Sequence, residues 1–193
     1  MLRIVLASGS PRRKELLGKI FDEFEVITSE VDETLDEGVK PLDGVKILAV
    51  RKGKAVADML QGECVVISSD TLVEIDDEPL GKPISREDAH RMLSRLSGNY
   101  HNVHTGIAVH YAGRVVSGVA SARVKFKPLS DEEIYAYIDG GEPMDKAGAY
   151  AIQGEGGKFI EGYDGDFDTI MGLSVSMTKA LIDEITGVQD DEE

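Results

Sequence analysis

The chain has 193 residues, with 21 lysines and arginines against 36 aspartates and glutamates, for a formal net charge of −15. That length allows one substantial core, and the acidity excludes a long polyanionic partner, because nucleic acids and anionic membranes are held by summed lysine and arginine contacts. No apolar run approaches the roughly 20 residues of a membrane helix. Met1-Leu2-Arg3 leads straight into a strand, so no signal peptide is expected. The single cysteine, Cys64, excludes an internal disulfide, fits the cytosol and reads as a core thiol.

Residues 2–7 are short, branched and apolar, as a buried strand is. Ser8-Gly9-Ser10-Pro11-Arg12-Arg13 follows, with Ser10 suited to a helix N-cap and Pro11 to the first helical position. The helix predicted over residues 11–20 carries Leu16, Leu17 and Ile20 at helical spacing, and residues 24–27 read as a second strand. The acid-rich stretch 29–42 reads as a loop. From Asp43, the residues Val45, Leu48, Ala49, Lys52, Ala55, Val56 and Met59 recur with helical period, predicting a helix that ends near Gln61-Gly62.

Residues 64–68 form a continuous apolar strand, which places Ser69-Asp70-Thr71 at a strand end, where α/β proteins commonly put their sites. A short hairpin runs from Leu72 into the rigid loop Pro79-Leu80-Gly81-Lys82-Pro83. Ser85 and Asp88 cap a helix with an apolar face of Ala89, Met92, Leu93 and Leu96. Two alternating segments, 100–110 and 114–127, predict a long hairpin, and Ser130 opens a further helix with Ile134, Tyr137 and Ile138 on one side. The glycine-crowded stretch 143–157 resists regular assignment, and a last helix covers 173–185. This order predicts a mixed α/β protein with a long twisted central sheet flanked by helices, two lobes and a cleft between them. The domain is expected over residues 1–188, with an acidic disordered tail at 189–193.

Several residues admit two readings on their own chemistry. Ser8, Ser10, Arg12 and Arg13 make either an anion site at a helix start or an ordinary capped helix with solvated arginines. Asp70 is either a base or a turn former. Any of Glu30, Asp32 and Glu33 that faced Asp70 would form with it an oxygen site for a hard divalent cation. Lys52 either binds an anion or snorkels along an apolar face. Lys82, between Gly81 and Pro83, is a rigid cation suited to phosphate, and Gln153 is an amide placed among glycines that could read a base edge. His101 and His104 fall on opposite strand faces, which does not make a zinc site. Walker-type and Gly-x-Gly-x-x-Gly phosphate loops are absent, as is a serine nucleophile elbow.

Taken in order, Leu6-Ala7-Ser8-Gly9-Ser10-Pro11-Arg12-Arg13, Glu30-Val31-Asp32-Glu33, Leu48-Ala49 with Lys52, Ser69-Asp70-Thr71, Leu80-Gly81-Lys82-Pro83, Asp145-Lys146-Ala147-Gly148-Ala149-Tyr150 and Ile152-Gln153-Gly154 resemble the Maf family of nucleoside triphosphate pyrophosphatases. The resemblance spans nearly the whole chain and implies an inosine-triphosphatase-like fold. It also implies hydrolysis between the α and β phosphates, with a divalent metal, Mg2+ or Mn2+. By the family's pattern Asp70 would activate water and, with Glu33, organise the metal. Ser8, Ser10, Arg12, Arg13, Lys52 and Lys82 would hold the triphosphate. Arg13, Thr71 and Gln153 resemble the subgroup acting on dTTP and UTP. The resemblance further implies a cytoplasmic homodimer that binds neither nucleic acid nor membrane. The alternatives are a 7-methyl-GTP or purine-directed pyrophosphatase, or a nucleotide-binding regulator of cell division and septum formation. Three departures from the family stand out: Gly9 and Gly53 where alanine is usual, and Gly172-Leu173-Ser174 without the usual proline. The last is expected to alter the entry to the final helix.

Overall fold

A computed structural model describes residues 2–187; the acidic tail lies outside the described residues. The described residues divide into two compact units, one of residues 2–70, 105–120 and 172–187, the other of residues 71–104 and 121–171.

In the first unit, strand β1 (Arg3–Leu6) lies parallel to both β2 (Glu25–Val26) and β3 (Cys64–Ile75), with Val5 opposite Val66 and Leu6 opposite Ile67. Parallel neighbours need a crossover, and helix α2 (Pro41–Ala57) supplies the one between β2 and β3. Val5, Ala7, Val56 and Val66 close the core between helix and sheet, with half-buried Cys64 packed against them. Helix α1 (Pro11–Leu17) buries Leu16 and Leu17 and stops at Gly18, so the expected extension to Ile20 is a turn instead. Helix α2 starts two residues earlier than the apolar period suggests, because Pro41 occupies the first helical position, where its missing N–H is harmless. It also ends at Ala57, which leaves Met59 exposed rather than on the apolar face.

Asp70 corrects the reading of a strand end, since β3 continues without a break from Cys64 to Ile75. The run survives its polar centre because its hydroxyls are bonded. Ser68 Oγ donates to the Ala49 carbonyl at 2.7 Å and Ser69 Oγ to the Gly172 carbonyl at 2.9 Å, and both serines are fully buried.

The second unit begins with the far half of β3, which turns through Asp76 and Asp77, both at positive φ, into antiparallel β4 (Glu78–Leu80). Helix α3 (Arg86–Leu96) is capped by Ser85, whose side chain accepts from the Asp88 N–H. Helix α4 (Asp131–Asp139) carries a full capping box between Ser130 and Glu133. Their apolar faces meet Val73, Ile75, Phe126 and Phe159 in one core. The long hairpin is β5 (Tyr100–Tyr111) and β6 (Arg114–Phe126), and its strands run through both units. Beyond the glycine-crowded region lie two elements that sequence patterning does not predict, β7 (Ile160–Asp164), antiparallel to β6, and α5 (Phe167–Met171). Helix α6 (Val175–Thr186) closes the described chain. The hydrogen-bonded strand order is β2-β1-β3-β5-β6-β7, with β4 on β3. The protein is thus a mixed α/β fold, as predicted.

His101 and His104 point to different surroundings. His101 is buried against Phe126 and bonds the Tyr150 hydroxyl at 2.8 Å. His104 lies between Ser121 Oγ at 2.7 Å and Glu74 at 3.1 Å.

Candidate active site

The first unit gathers seven of the sequence-predicted residues: Ser8, Ser10, Arg12, Arg13, Glu33, Lys52 and Asp70. At its centre is Lys52, whose ammonium lies 2.5 Å from Asp70 Oδ1 and 3.0 Å from Glu33 Oε1. Lys52 does not snorkel out to water. Its side chain is 19% exposed and that of Asp70 13%, whereas Glu33 is 56% exposed. An ion pair this sheltered keeps more of its Coulomb energy than a surface pair and holds its geometry.

Glu33 reaches Lys52 from a loop with little apolar content, so something else must hold that loop. Arg51 does so by donating from Nη1 to the carbonyls of Asp32 and Thr34, the latter at 2.9 Å. Asp32 turns back to accept from the Thr34 N–H at 2.9 Å, and hydrogen bonding from the Thr34 side chain first, then from its N–H, holds its carboxyl below the usual range. Glu30 is exposed. Of the three loop acids, Glu33 is therefore the one that meets Asp70 at a shared cation. The fixing role of Arg51 has no motif to announce it, because a helical arginine bonding backbone carbonyls leaves no pattern in sequence.

Arg13 is set from two sides. Its Nε donates to the Gly172 carbonyl at 3.0 Å and its Nη1 to Ser8 Oγ at 3.2 Å. Burial pushes the guanidinium pKa down, the charges of Asp70 and Glu33 oppose that shift, and Arg12 adds to it. An arginine withstands this as a permanent cation where a lysine would be drawn toward neutrality. Ser8 is itself buried and also accepts from the Ser10 N–H at 3.3 Å. Ser10 occupies the N-cap position of α1, yet its hydroxyl makes no cap bond.

Gly172 was not among the predicted site residues. Its carbonyl receives both Arg13 and Ser69, and its φ of 117° is open to glycine and costly for other residues. The missing proline after it has a replacement, since Ser174 caps α6 by accepting from the Met177 N–H. Gly53 also has a local reason. A Cβ there would lie 2.4 Å from Ser68 Oγ and 2.6 Å from the His110 ring. Gly9 has none of comparable weight, because a Cβ would meet only a Thr28 methyl at 3.4 Å.

Thr71, Lys82 and Gln153 belong to the second unit. Thr71 is half-buried on β3, whereas Lys82 and Gln153 are exposed. Gly81 ties the Lys82 loop down by accepting from the Gly148 N–H at 3.0 Å.

Among the described residues no group of three or more His, Cys, Asp or Glu side chains could hold a metal alone. Two carboxylates meeting at one ammonium nevertheless fit a magnesium-like cation, which takes one or two protein carboxylates and completes its shell with water and phosphate.

The class these features define is a mixed α/β protein of the Ham1 fold, with a pair of acids converging on a lysine and a cluster of arginine and serine beside them. The Staphylococcus aureus Ham1 protein aligns at a TM-score of 0.51 and 19% identity, covering 82% of this chain and 79% of that one. A HAM1 protein from Coxiella burnetii aligns at 0.51 and 15% identity, covering 95% and 100%. The chain belongs to the Maf-like protein family, whose pattern matches residues 3–185. It is 43% identical over 185 residues to the dTTP/UTP pyrophosphatase of Bdellovibrio bacteriovorus, covering 93% of this chain and 96% of the relative. It is 47% identical over 178 residues to a protein of the same name from Thermococcus onnurineus, covering 92% and 95%.

Proposed function

We propose that this protein is a nucleoside triphosphate pyrophosphatase that hydrolyses dTTP and UTP to the monophosphate and pyrophosphate. Support comes from relatives of that name at 43% and 47% identity over more than nine-tenths of the chain. The carrying observation is the convergence of Asp70 and Glu33 on Lys52. The purine-directed and regulatory readings are not favoured by those relatives.

In-line attack at phosphorus needs a positioned water, a proton acceptor and fixed positive charge on the leaving group. Asp70, mostly sheltered and bound to one ammonium, accepts the proton from water. Lys52 keeps two carboxylates together before substrate arrives, and its flexible stem lets it turn to phosphate oxygens when they enter. Arg12, Arg13, Ser8 and Ser10 bind the phosphates, with Arg13 pre-set by Gly172 and Ser8. Lys82 adds a cation, and Gln153 with Thr71 reads the pyrimidine edge. Glu33 and Asp70 would hold Mg2+ or Mn2+, which when bound neutralises phosphate charge and polarises the phosphorus centre. The family resemblance supports a cytoplasmic homodimer acting on free nucleotides. The test is a panel of triphosphates scored for pyrophosphate release, in which dTTP and UTP lead and ITP and 7-methyl-GTP trail.

A further inference from the structure

Glu142 lies outside every role given above, yet its carboxylate is fully occupied. Tyr137 donates its hydroxyl to Oε2 at 2.6 Å, Gly156 donates its N–H to the same oxygen at 3.0 Å, and Glu155 donates its N–H to Oε1 at 3.2 Å. Burial pushes this carboxyl up, but the three bonds outweigh it and hold the group below its usual range. Tyr137, buried to 3% exposure, also accepts from the Ala151 N–H at 3.4 Å. Gln153 is therefore bracketed: the chain is pinned two residues before it through Tyr137, and two and three residues after it through Glu142.

The glycines of this loop follow from the same carboxylate and phenol. A Cβ on Gly154 would lie 1.8 Å from Glu142 Oε1, and one on Gly156 would lie 2.7 Å from Tyr137 Oη. Neither has a positive φ, so close approach of these two side chains, rather than backbone conformation, demands glycine. Any side chain at 154 must push the carboxylate aside and break its bonds.

We infer that Glu142 is a positioning residue for base selection, fixing the 151–156 backbone so that the Gln153 amide meets the pyrimidine in one orientation. This rests on the reading of Gln153 as the base reader. The amide offers one donor and one acceptor edge. Held in place, it matches the carbonyl and N–H of a thymine or uracil. With its backbone displaced the amide is no longer held at the distance and angle at which both of those bonds form, and the preference over the amino group and ring nitrogen of cytosine falls. Glu142 then sets discrimination against CTP while touching no substrate.

The experiment compares kcat and KM for dTTP and CTP in the full chain and in Glu142→Gln, Gly154→Ala, Gln153→Ala and the Glu142→Gln/Gln153→Ala double variant. Glutamine keeps the shape of Glu142 but has one acceptor oxygen in place of two, and alanine at 154 displaces the carboxylate without altering it. Both single variants are expected to lower the dTTP-to-CTP ratio of kcat/KM about tenfold, through KM for dTTP with kcat for dTTP within about twofold. Gln153→Ala lowers the ratio as well, and the double variant falls no further than Gln153→Ala alone. If Gln153→Ala loses discrimination while Glu142→Gln and Gly154→Ala retain it, the inference is wrong and the base reading stands. If the double variant is additive, Glu142 acts by another route and the inference is overturned. If Gln153→Ala keeps full discrimination, the base reading falls and takes the inference with it. Should Glu142→Gln fail to fold, Gly154→Ala decides.

Discussion

Lys52 Nζ lies 2.5 Å from Asp70 Oδ1, joining helix α2 to the middle of strand β3. Asp70 accepts this bond on a single oxygen, so the other keeps its capacity to take a proton. Glu33 stands on the same ammonium at 3.0 Å, which gives the lysine two anions to balance. Just before Asp70 on β3, the buried Ser68 and Ser69 are bonded to the Ala49 and Gly172 carbonyls, and Arg51 ties down the loop that carries Glu33. This arrangement assigns distinct consequences to each member.

Asp70→Asn retains shape and hydrogen bonding but cannot accept a proton. Turnover of dTTP is expected to fall by about 10³-fold, within the range for loss of a general base. Binding of a non-hydrolysable triphosphate, measured by calorimetry, is expected to stay within about fivefold. Turnover near that of the parent would remove Asp70 from the base role.

Lys52→Met removes a cation from between two carboxylates and leaves their repulsion unbalanced. The expected kinetic result is a kcat/KM for dTTP lower by about 100-fold, with a steeper dependence on divalent cation as the metal takes over the neutralising role. Titration of activity against Mg2+ checks this; an unchanged metal dependence would contradict the shared-cation geometry.

The two unusual glycines should respond oppositely. Gly53→Ala gains about 1 kcal/mol of helix propensity. It also forces a Cβ against Ser68 Oγ, which is locked by bonds to the Ala49 and Ala108 carbonyls, and against the His110 ring. Overpacking of this kind costs about 1–3 kcal/mol, so a net loss of stability is expected, relieved by combining it with His110→Ala. Gly9→Ala meets only a methyl and is expected to be neutral or stabilising by about 0.5 kcal/mol. Chemical denaturation of the three variants measures all of these.

His101 carries the clearest dependence on pH. Burial lowers its pKa to about 4, below the ordinary histidine value, so between the two the unfolded chain binds the proton and the folded chain does not. Stability is therefore present above the unfolded value, falls as pH drops through the 6.5-to-4 window, and changes no further below it. The full effect is about 3 kcal/mol at 1.36 kcal/mol per unit. Thermal melts across that window are expected to show the decline, and His101→Gln is expected to flatten its slope while lowering the Tm at neutral pH.

Much of this site was legible because its chemistry sits in side chains with local pattern. Lys52 interrupts an apolar helical stripe, Asp70 follows a buried apolar run, and the strand and helix around Ser8 and Ser10 announce themselves by composition. Sequence alone places Asp70 at a strand end, because Ser68 and Ser69 look like a terminus until their carbonyl partners are known. Those partners lie far away in sequence, as does the Gly172 carbonyl that fixes Arg13, and backbone groups carry no signature of which side chain they will receive. Strand β7 leaves no sequence signal because its residues are mostly exposed and show no apolar alternation. The glycine-crowded stretch 143–157 resists assignment from sequence because its glycines at 154 and 156 answer to the close approach of Glu142 and Tyr137, which no local pattern shows.

The proposed reaction is cleavage between the α and β phosphates of a pyrimidine nucleoside triphosphate. The most direct measurement is product analysis of the purified chain with dTTP and UTP in the presence of Mg2+ or Mn2+. The expected products are dTMP or UMP and pyrophosphate in equal amounts, with Asp70→Asn inactive in the same assay. Release of orthophosphate with the diphosphate, or no turnover of any triphosphate, would contradict it.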